Sequence, residues 1–223
     1  MEIWGSCEEE RDMGYKTEQE AFWSGEFGDC YIERNECTED FLASAIGLFA
    51  KVLGRMDPIG SVIEFGSNIG NNLKAIKTLV SDIRVAAIEI NHKAASRLKE
   101  DAFWGGGIKV FEESILEFEP TEKYDMSLIS GVLIHINPNE LQNVYEKLYL
   151  SSRRYIYIAE YYSPTPVEVP YRGHEGKLFK RDFAGEFLDK YPDCRLVDYG
   201  FQYHRDNYFP GDDGTWFLME KIR

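Results

Sequence analysis

The run VIEFGSNIGNN at positions 62–72 constrains this chain more than any other stretch. An apolar, strand-like segment passes through Glu64 and Phe65, turns at Gly66, Ser67, Asn68 and Gly70, and gives way to the helix-forming GNNLKAIKTLVS. Glycine in such a turn lets the backbone approach a ligand closely, and the unpaired amides that open the next helix favour polar or anionic groups. Ligands of open α/β sheets collect at this carboxyl edge of the strands. The pattern is ExGxxxG, not the GxGxxG of nicotinamide binders, and no GxxxxGK[ST] phosphate loop occurs in the chain. A nucleoside without phosphates is the ligand class this favours.

The same alternation continues downstream. RVAAIEI (84–90), IKVFEES (108–114), YDMSLIS (124–130) and RYIYIAEYY (154–162) read as strands, with helical runs after 91 and over 139–150. Strands separated by helices predict βαβ units in a doubly wound, mostly parallel sheet. RLVDYGFQYHR (195–205) and TWFLMEKIR (215–223) have only DNYFPGDDG between them, too short for a helix, so they predict an antiparallel C-terminal hairpin that completes a seven-stranded sheet. Upstream, Thr17 followed by Glu20 is a capping-box pattern that opens a short helix over 17–28, and Phe41, Leu42, Ala45, Ile46, Phe49 and Leu53 repeat at helical spacing before MDPIG. Residues 1–55 therefore read as an N-terminal arm and helical lid, and 56–223 as one α/β core.

Composition narrows the partners. A net charge of −14 repels phosphate backbones and anionic lipid heads, which argues against nucleic acid and membrane partners. Arg172, Lys177, Lys180 and Arg181 form a local basic run, read more plainly as a solvated loop face. The first residues lack a basic start and an apolar run, so a cytoplasmic location is expected. Cys7, Cys30, Cys37 and Cys194 lack paired spacing and the four histidines are scattered, so no metal is expected. Oligomeric state has no sequence signal here.

Glu89, nineteen positions past Gly70 at the end of the second strand, can accept hydrogen bonds from both hydroxyls of a ribose. With it, the chain resembles the class I S-adenosylmethionine-dependent methyltransferases from about Ser61 to the C-terminal hairpin. That resemblance implies S-adenosylmethionine as cofactor, with Glu64, Gly66, Ser67, Asn68 and Gly70 bordering its methionyl part. Glu89 with Ile90 would hold the ribose, Ser114 and Ile115 the adenine, and Gly131, Val132 and Leu133 the cofactor floor; Asp125 matches the family's fourth motif. Glu113 with Ser114 departs from the commoner Asp-containing pair. Over nearly the full length, TEQEAFWSGEFGDCYIERN, EFGSNIGNN, GVLIHINPNEL and AEYYSPTPVEVPYRGHEGKLFKRDF resemble the pseudaminic acid biosynthesis-associated methylases.

Methyl transfer is an in-line displacement at a sulfonium carbon, so alignment supplies much of the catalysis, and a hydroxyl or ammonium acceptor also needs a base. His135 is the leading base candidate; its alternative role is to pack on the Asn137-Pro138 turn. Asn139 is either a positioning group or the N-cap of the helix after it. Tyr161, Tyr162 and Tyr171 offer ring faces for a sulfonium, and Arg172 a fork for a carboxylate. Trp23, Phe27, Tyr31 and Arg34 suggest a lid over cofactor and substrate. Three functions stay open: a small-molecule methyltransferase acting on an oxygen or nitrogen of an acidic sugar or amino-acid derivative, a cyclase that turns S-adenosylmethionine into azetidine-2-carboxylate and methylthioadenosine, and a non-catalytic S-adenosylmethionine-binding module.

Overall fold

The computed structural model describes residues 14–222, so most of the N-terminal arm and Cys7 lie outside the described residues. Strands β1 (Ser61–Phe65), β2 (Arg84–Ile88), β3 (Ile108–Phe111), β4 (Tyr124–Ser130) and β5 (Ser152–Glu160) are mutually parallel, and β8 (Cys194–Phe201) and β9 (Thr215–Lys221) form an antiparallel hairpin on β5. The seven-stranded order is β3-β2-β1-β4-β5-β9-β8. Between β5 and β8, two-residue strands β6 (Val167–Glu168) and β7 (Phe179–Lys180) make a separate small sheet that the sequence does not announce.

All five residues of β1 are buried, as a parallel strand covered on both faces demands. Successive side chains point to opposite faces. Val62 and Leu128 pack with α3 (Glu39–Leu53) and α4 (Asn71–Leu79) through Phe49, Val52, Leu73 and Ile76. Ile63, Phe65 and Ile129 pack on the opposite face with α6 (Leu141–Ser151) and α7 (Phe183–Lys190) through Val144, Leu148 and Phe187. Helix α3, which the sequence groups with the lid, is thus a structural layer of the core.

Where the sequence predicts one helix over 17–28 there are two, α1 (Glu18–Ser24) and α2 (Glu26–Arg34), divided at Gly25. The capping box on Thr17 and Glu20 forms in full. The chain folds back so tightly after Gly25 that a Cβ on Gly28 would sit 1.8 Å from the Trp23 carbonyl oxygen. Only glycine permits that hairpin.

Sheet order reverses between β2-β1 and β4-β5, so a crevice opens above the carboxyl ends of β1 and β4. Gly70, the N-cap of α4, has φ of +78°, and a Cβ there would meet Leu98 Cδ2 at 2.6 Å and Trp104 Cζ2 at 3.0 Å. Gly70→Ala is expected to destabilise the protein by about 1–3 kcal/mol through strain and overpacking. A urea titration showing an unchanged midpoint would contradict this.

Candidate active-site cavity

A cavity of about 580 Å³ occupies the crevice, with the turns after β1, β2, β4 and β5 as its floor and α1, α2 and the start of α3 above. Glu64 reaches it from β1. The residue is only 2% exposed; its Oε1 accepts from Asn72 Nδ2 at 2.7 Å, and its Oε2 has no protein partner. Burial pushes its carboxyl up to about 8. Gly66 follows with φ of +72°, where a Cβ would stand 2.7 Å from Val132 Cγ2, so the turn after β1 closes on the turn after β4 only because Gly66 has no side chain. Ser67 Oγ donates to the Glu64 carbonyl at 3.0 Å. Asn71 keeps Oδ1 unpartnered while its Nδ2 donates to the Asn35 carbonyl at the end of α2.

Glu89 is buried at the end of β2, and burial raises its pKa against the hydrogen bonds that lower it. Its Oε2 accepts from the Asn68 amide and its Oε1 from the Asn91 amide, both at 2.7 Å. A carboxylate has about four lone-pair positions, so each oxygen retains one for a ligand. Ile90, Ser114 and Ile115 continue the wall, as do Gly131 and Val132. Glu160 accepts from the amides of Val132 at 3.0 Å and Leu133 at 2.9 Å, and burial lifts its carboxyl to about 8.

The lid meets this floor through hydrogen bonds and rings. Ser114 Oγ donates to Glu20, the same side chain that completes the α1 capping box. Gln19 Nε2 donates to the Gly176 carbonyl, and Asn91 Nδ2 to Asp29, each at 2.9 Å. Trp23 and Tyr31 line the cavity, and Trp23 packs against His135 with ring centroids 4.6 Å apart. Tyr171 lies 4.8 Å from the His135 ring on another side. The Trp23 indole N–H is buried without a partner.

His135 Nδ1 lies 2.5 Å from the Lys177 carbonyl, an acceptor, so Nδ1 carries the proton and Nε2 is left to accept. Burial lowers the ring to about 4. The imidazole is therefore neutral across the physiological range, in contrast to the near-neutral titration expected of an unperturbed histidine. Its ring packs against those of Trp23 and Tyr171.

Several predicted residues stand away from the cavity wall, Leu133, Phe27 and Arg34 among them. Asn139 is exposed on a 3-10 turn, and its amide donates to Asn137 Oδ1; Asn137 is both the cap and the wall residue. Arg172, at φ of +50°, is exposed with its guanidinium 6.0 Å from the Tyr171 ring centroid. Tyr162 is 45% exposed and lines an outer cleft with Lys180 and Phe201. Gly70 shapes the turn without reaching the wall, while Tyr161 belongs to both cavity and cleft. Asp125 sits at the start of β4, at the opposite edge of the sheet, where it accepts from the Gly60 amide and Ser61 Oγ. Sequence reading missed Glu20, Asn71, Asn91, Asn137 and Asp212 on the wall; the paired asparagines directly after Gly70 were the one available signal.

Strand order, parallel core and C-terminal hairpin together define the Rossmann-like fold of the class I methyltransferases. Compared with protein-family models and with curated proteins, the chain matches none. Among solved structures it is similar to 1,6-didemethyltoxoflavin-N1-methyltransferase of Burkholderia thailandensis, with bound 1,6-didemethyltoxoflavin and S-adenosylhomocysteine, at 16% identity and a TM-score of 0.68, covering 99% of this chain and 94% of that one. It is also similar to magnesium protoporphyrin IX methyltransferase from Synechocystis PCC 6803 with bound S-adenosylmethionine (12% identity, TM-score 0.62, covering 92% and 98%). A third such structure is the plantazolicin methyltransferase BpumL with bound S-adenosylhomocysteine (14%, 0.61, covering 92% and 94%). Among the described residues no helix is long and apolar enough to cross a membrane, and no cluster of three or more His, Cys, Asp or Glu could hold a metal ion.

Proposed function

We propose that this chain is an S-adenosylmethionine-dependent methyltransferase acting on an oxygen or nitrogen of a small polar metabolite, an acidic sugar or an amino-acid derivative. The observation that carries the reading is the pair of buried, unpartnered acceptors on the wall, Glu64 Oε2 and Asn71 Oδ1, one strand away from the spare lone pairs of Glu89. Buried polar atoms left unpaired are costly, so such a wall is complementary to a ligand rich in donors. These residues fit an S-adenosyl group: Glu64 and Asn71 for its ammonium, Glu89 for its ribose hydroxyls, Ser114 and Ile115 beside its adenine. The neighbours' methyl-transfer activities support the same reading.

When bound, the cofactor supplies a methyl group on a sulfonium. The chain's own contribution is orientation and exclusion of water. Trp23, Tyr31 and Tyr171 present ring faces, which attract cations more strongly once water is gone. His135, fixed by the Lys177 carbonyl, offers Nε2 as an oriented hydrogen-bond acceptor. Helices α1 and α2 act as the lid, latched by Glu20 to Ser114 and by Gln19 to the Gly176 carbonyl.

Calorimetry with S-adenosylmethionine, followed by identification of any nucleoside product, tests this. Binding without turnover is expected from the cofactor alone, and S-adenosylhomocysteine only after an acceptor is added. Methylthioadenosine formed with no acceptor would replace methyl transfer with cyclisation, and absence of binding would overturn the reading altogether.

A further inference from the structure

The ionisable side chains on the cavity wall, histidine and tyrosine aside, are all acidic. Glu20, Asp40, Glu64, Glu89, Glu160 and Asp212 line it, and among the described residues no lysine or arginine does. The nearest cations stand off the cavity wall. Lys177 pairs with Glu18 at 3.0 Å, Arg34 and Arg172 lie against the Tyr31 and Tyr171 rings without reaching the wall, and Lys180 stands 5.0 Å from the Tyr161 ring centroid in an outer cleft that Tyr161 and Asp212 also line.

Four of the six carboxylates are already engaged on the floor or the lid: Glu64, Glu89, Glu160 and Glu20. Asp212, exposed on the β8–β9 loop, lines the cavity together with Tyr31, Tyr161 and Tyr171 and also lines the outer cleft; Asp40, exposed on α3, lines the cavity too. Burial keeps the Tyr31 phenol protonated, reinforced by Tyr171 and Asp212; burial does the same for Tyr161, reinforced by Asp212 and Tyr171. Asp212 and the three phenols thus lie within electrostatic reach of one another. No hydroxyl of the three forms a hydrogen bond to the described residues, and all three side chains line the same cavity as Asp212.

We infer that the acceptor is an amine, recognised by Asp212 and the Tyr31, Tyr161 and Tyr171 rings, and not an acidic sugar. The inference rests on the methyltransferase reading and narrows it. An ammonium or amine finds carboxylate and aromatic faces here. An anion finds like charge and no cationic partner on the cavity wall, and discrimination by repulsion is how such a wall would select. Phenol hydroxyls can still serve the neutral hydroxyls of the same molecule.

The test uses the protein saturated with S-adenosylhomocysteine and two probes of the same ring and opposite charge, benzylammonium and benzoate, followed by NMR titration. Benzylammonium is expected to bind at least tenfold more tightly. Asp212→Asn is expected to weaken benzylammonium three- to tenfold, with S-adenosylhomocysteine affinity as the control for folding; Asp40→Asn provides a second variant on α3. Benzoate binding equally or better, neither probe binding, or no change in either variant would overturn the inference. Failure of S-adenosylhomocysteine itself to bind would instead remove the methyltransferase reading beneath it.

Discussion

Glu89→Ala is expected to weaken S-adenosylmethionine binding by roughly 1–3 kcal/mol, about fivefold to 150-fold, the scale of hydrogen bonds to a charged group. It is also expected to cost about 2–4 kcal/mol of stability, because the carboxylate holds the Asn68 and Asn91 amides and its removal leaves both donors without partners. The two losses separate with Glu89→Gln, which keeps one acceptor oxygen and the shape of the turn. Calorimetry gives the first quantity and urea denaturation the second. Should affinity stay unchanged while stability falls, Glu89 serves only to brace the turns.

Cofactor binding is expected to release a proton and to tighten as pH rises toward 8. The carboxyl of Glu64, pushed to about 8 by burial, is largely protonated at pH 7 in the unliganded protein. A ligand ammonium placed against its open Oε2 favours the ionised form, so the proton leaves as the ligand arrives. Affinity then rises by up to about tenfold per pH unit below 8 and levels off above it. Binding enthalpies at pH 7 in phosphate and in Tris should differ by about one proton's worth of buffer ionisation, and Glu64→Gln should abolish the difference. Equal enthalpies in the wild type would refute the proposal.

The unliganded protein feels the same groups in its stability. Glu64 and Glu160 have folded pKa values near 8, above the ordinary carboxylate range, so the folded state holds the extra protons. Their contribution is fully present below the unfolded value and is lost as pH rises through 8. His135, lowered to about 4, runs the other way: its contribution is present above the ordinary histidine pKa and is lost as pH falls through 4. Glu64→Gln should therefore make the unliganded protein more stable at pH 9 while weakening its ligand.

Strands β1 and β4 were readable to the residue, because each is a short, mainly apolar run followed directly by a glycine at the turn. The ExGxxxG turn and Glu89 were readable for a related reason: backbone demands and spacing along one chain locate them without tertiary knowledge. Side-chain direction in the loops was not. Asn139 and Asn137 are chemically identical and two residues apart; Pro138, at the first position of a 3-10 turn, makes Asn137 the cap and turns Asn139 outward. Arg172 and Tyr162 belong to the segment between β5 and α7, whose course depends on the β6–β7 pairing and on contacts with α1. Helix α3 looked like part of a lid because its amphipathic pattern shows that it packs, but not on what.

Glu160 has a wider meaning. At its carboxylate the amides of Val132, Leu133 and, at 3.4 Å, Ile134 converge after Gly131 adopts φ of +66°, the kind of nest in which nucleotide-binding folds seat a phosphate. Glu89 answers the Asn68 amide after β1 in the same way. The protein has thus filled the nest after β4 with its own carboxyl group, and a visitor meets Glu160 there in place of free N–H groups. A phosphate chain would find no vacant amide among Val132, Leu133 and Ile134, so the floor after β4 is closed to the anionic tail that nucleotides carry on the same adenosine.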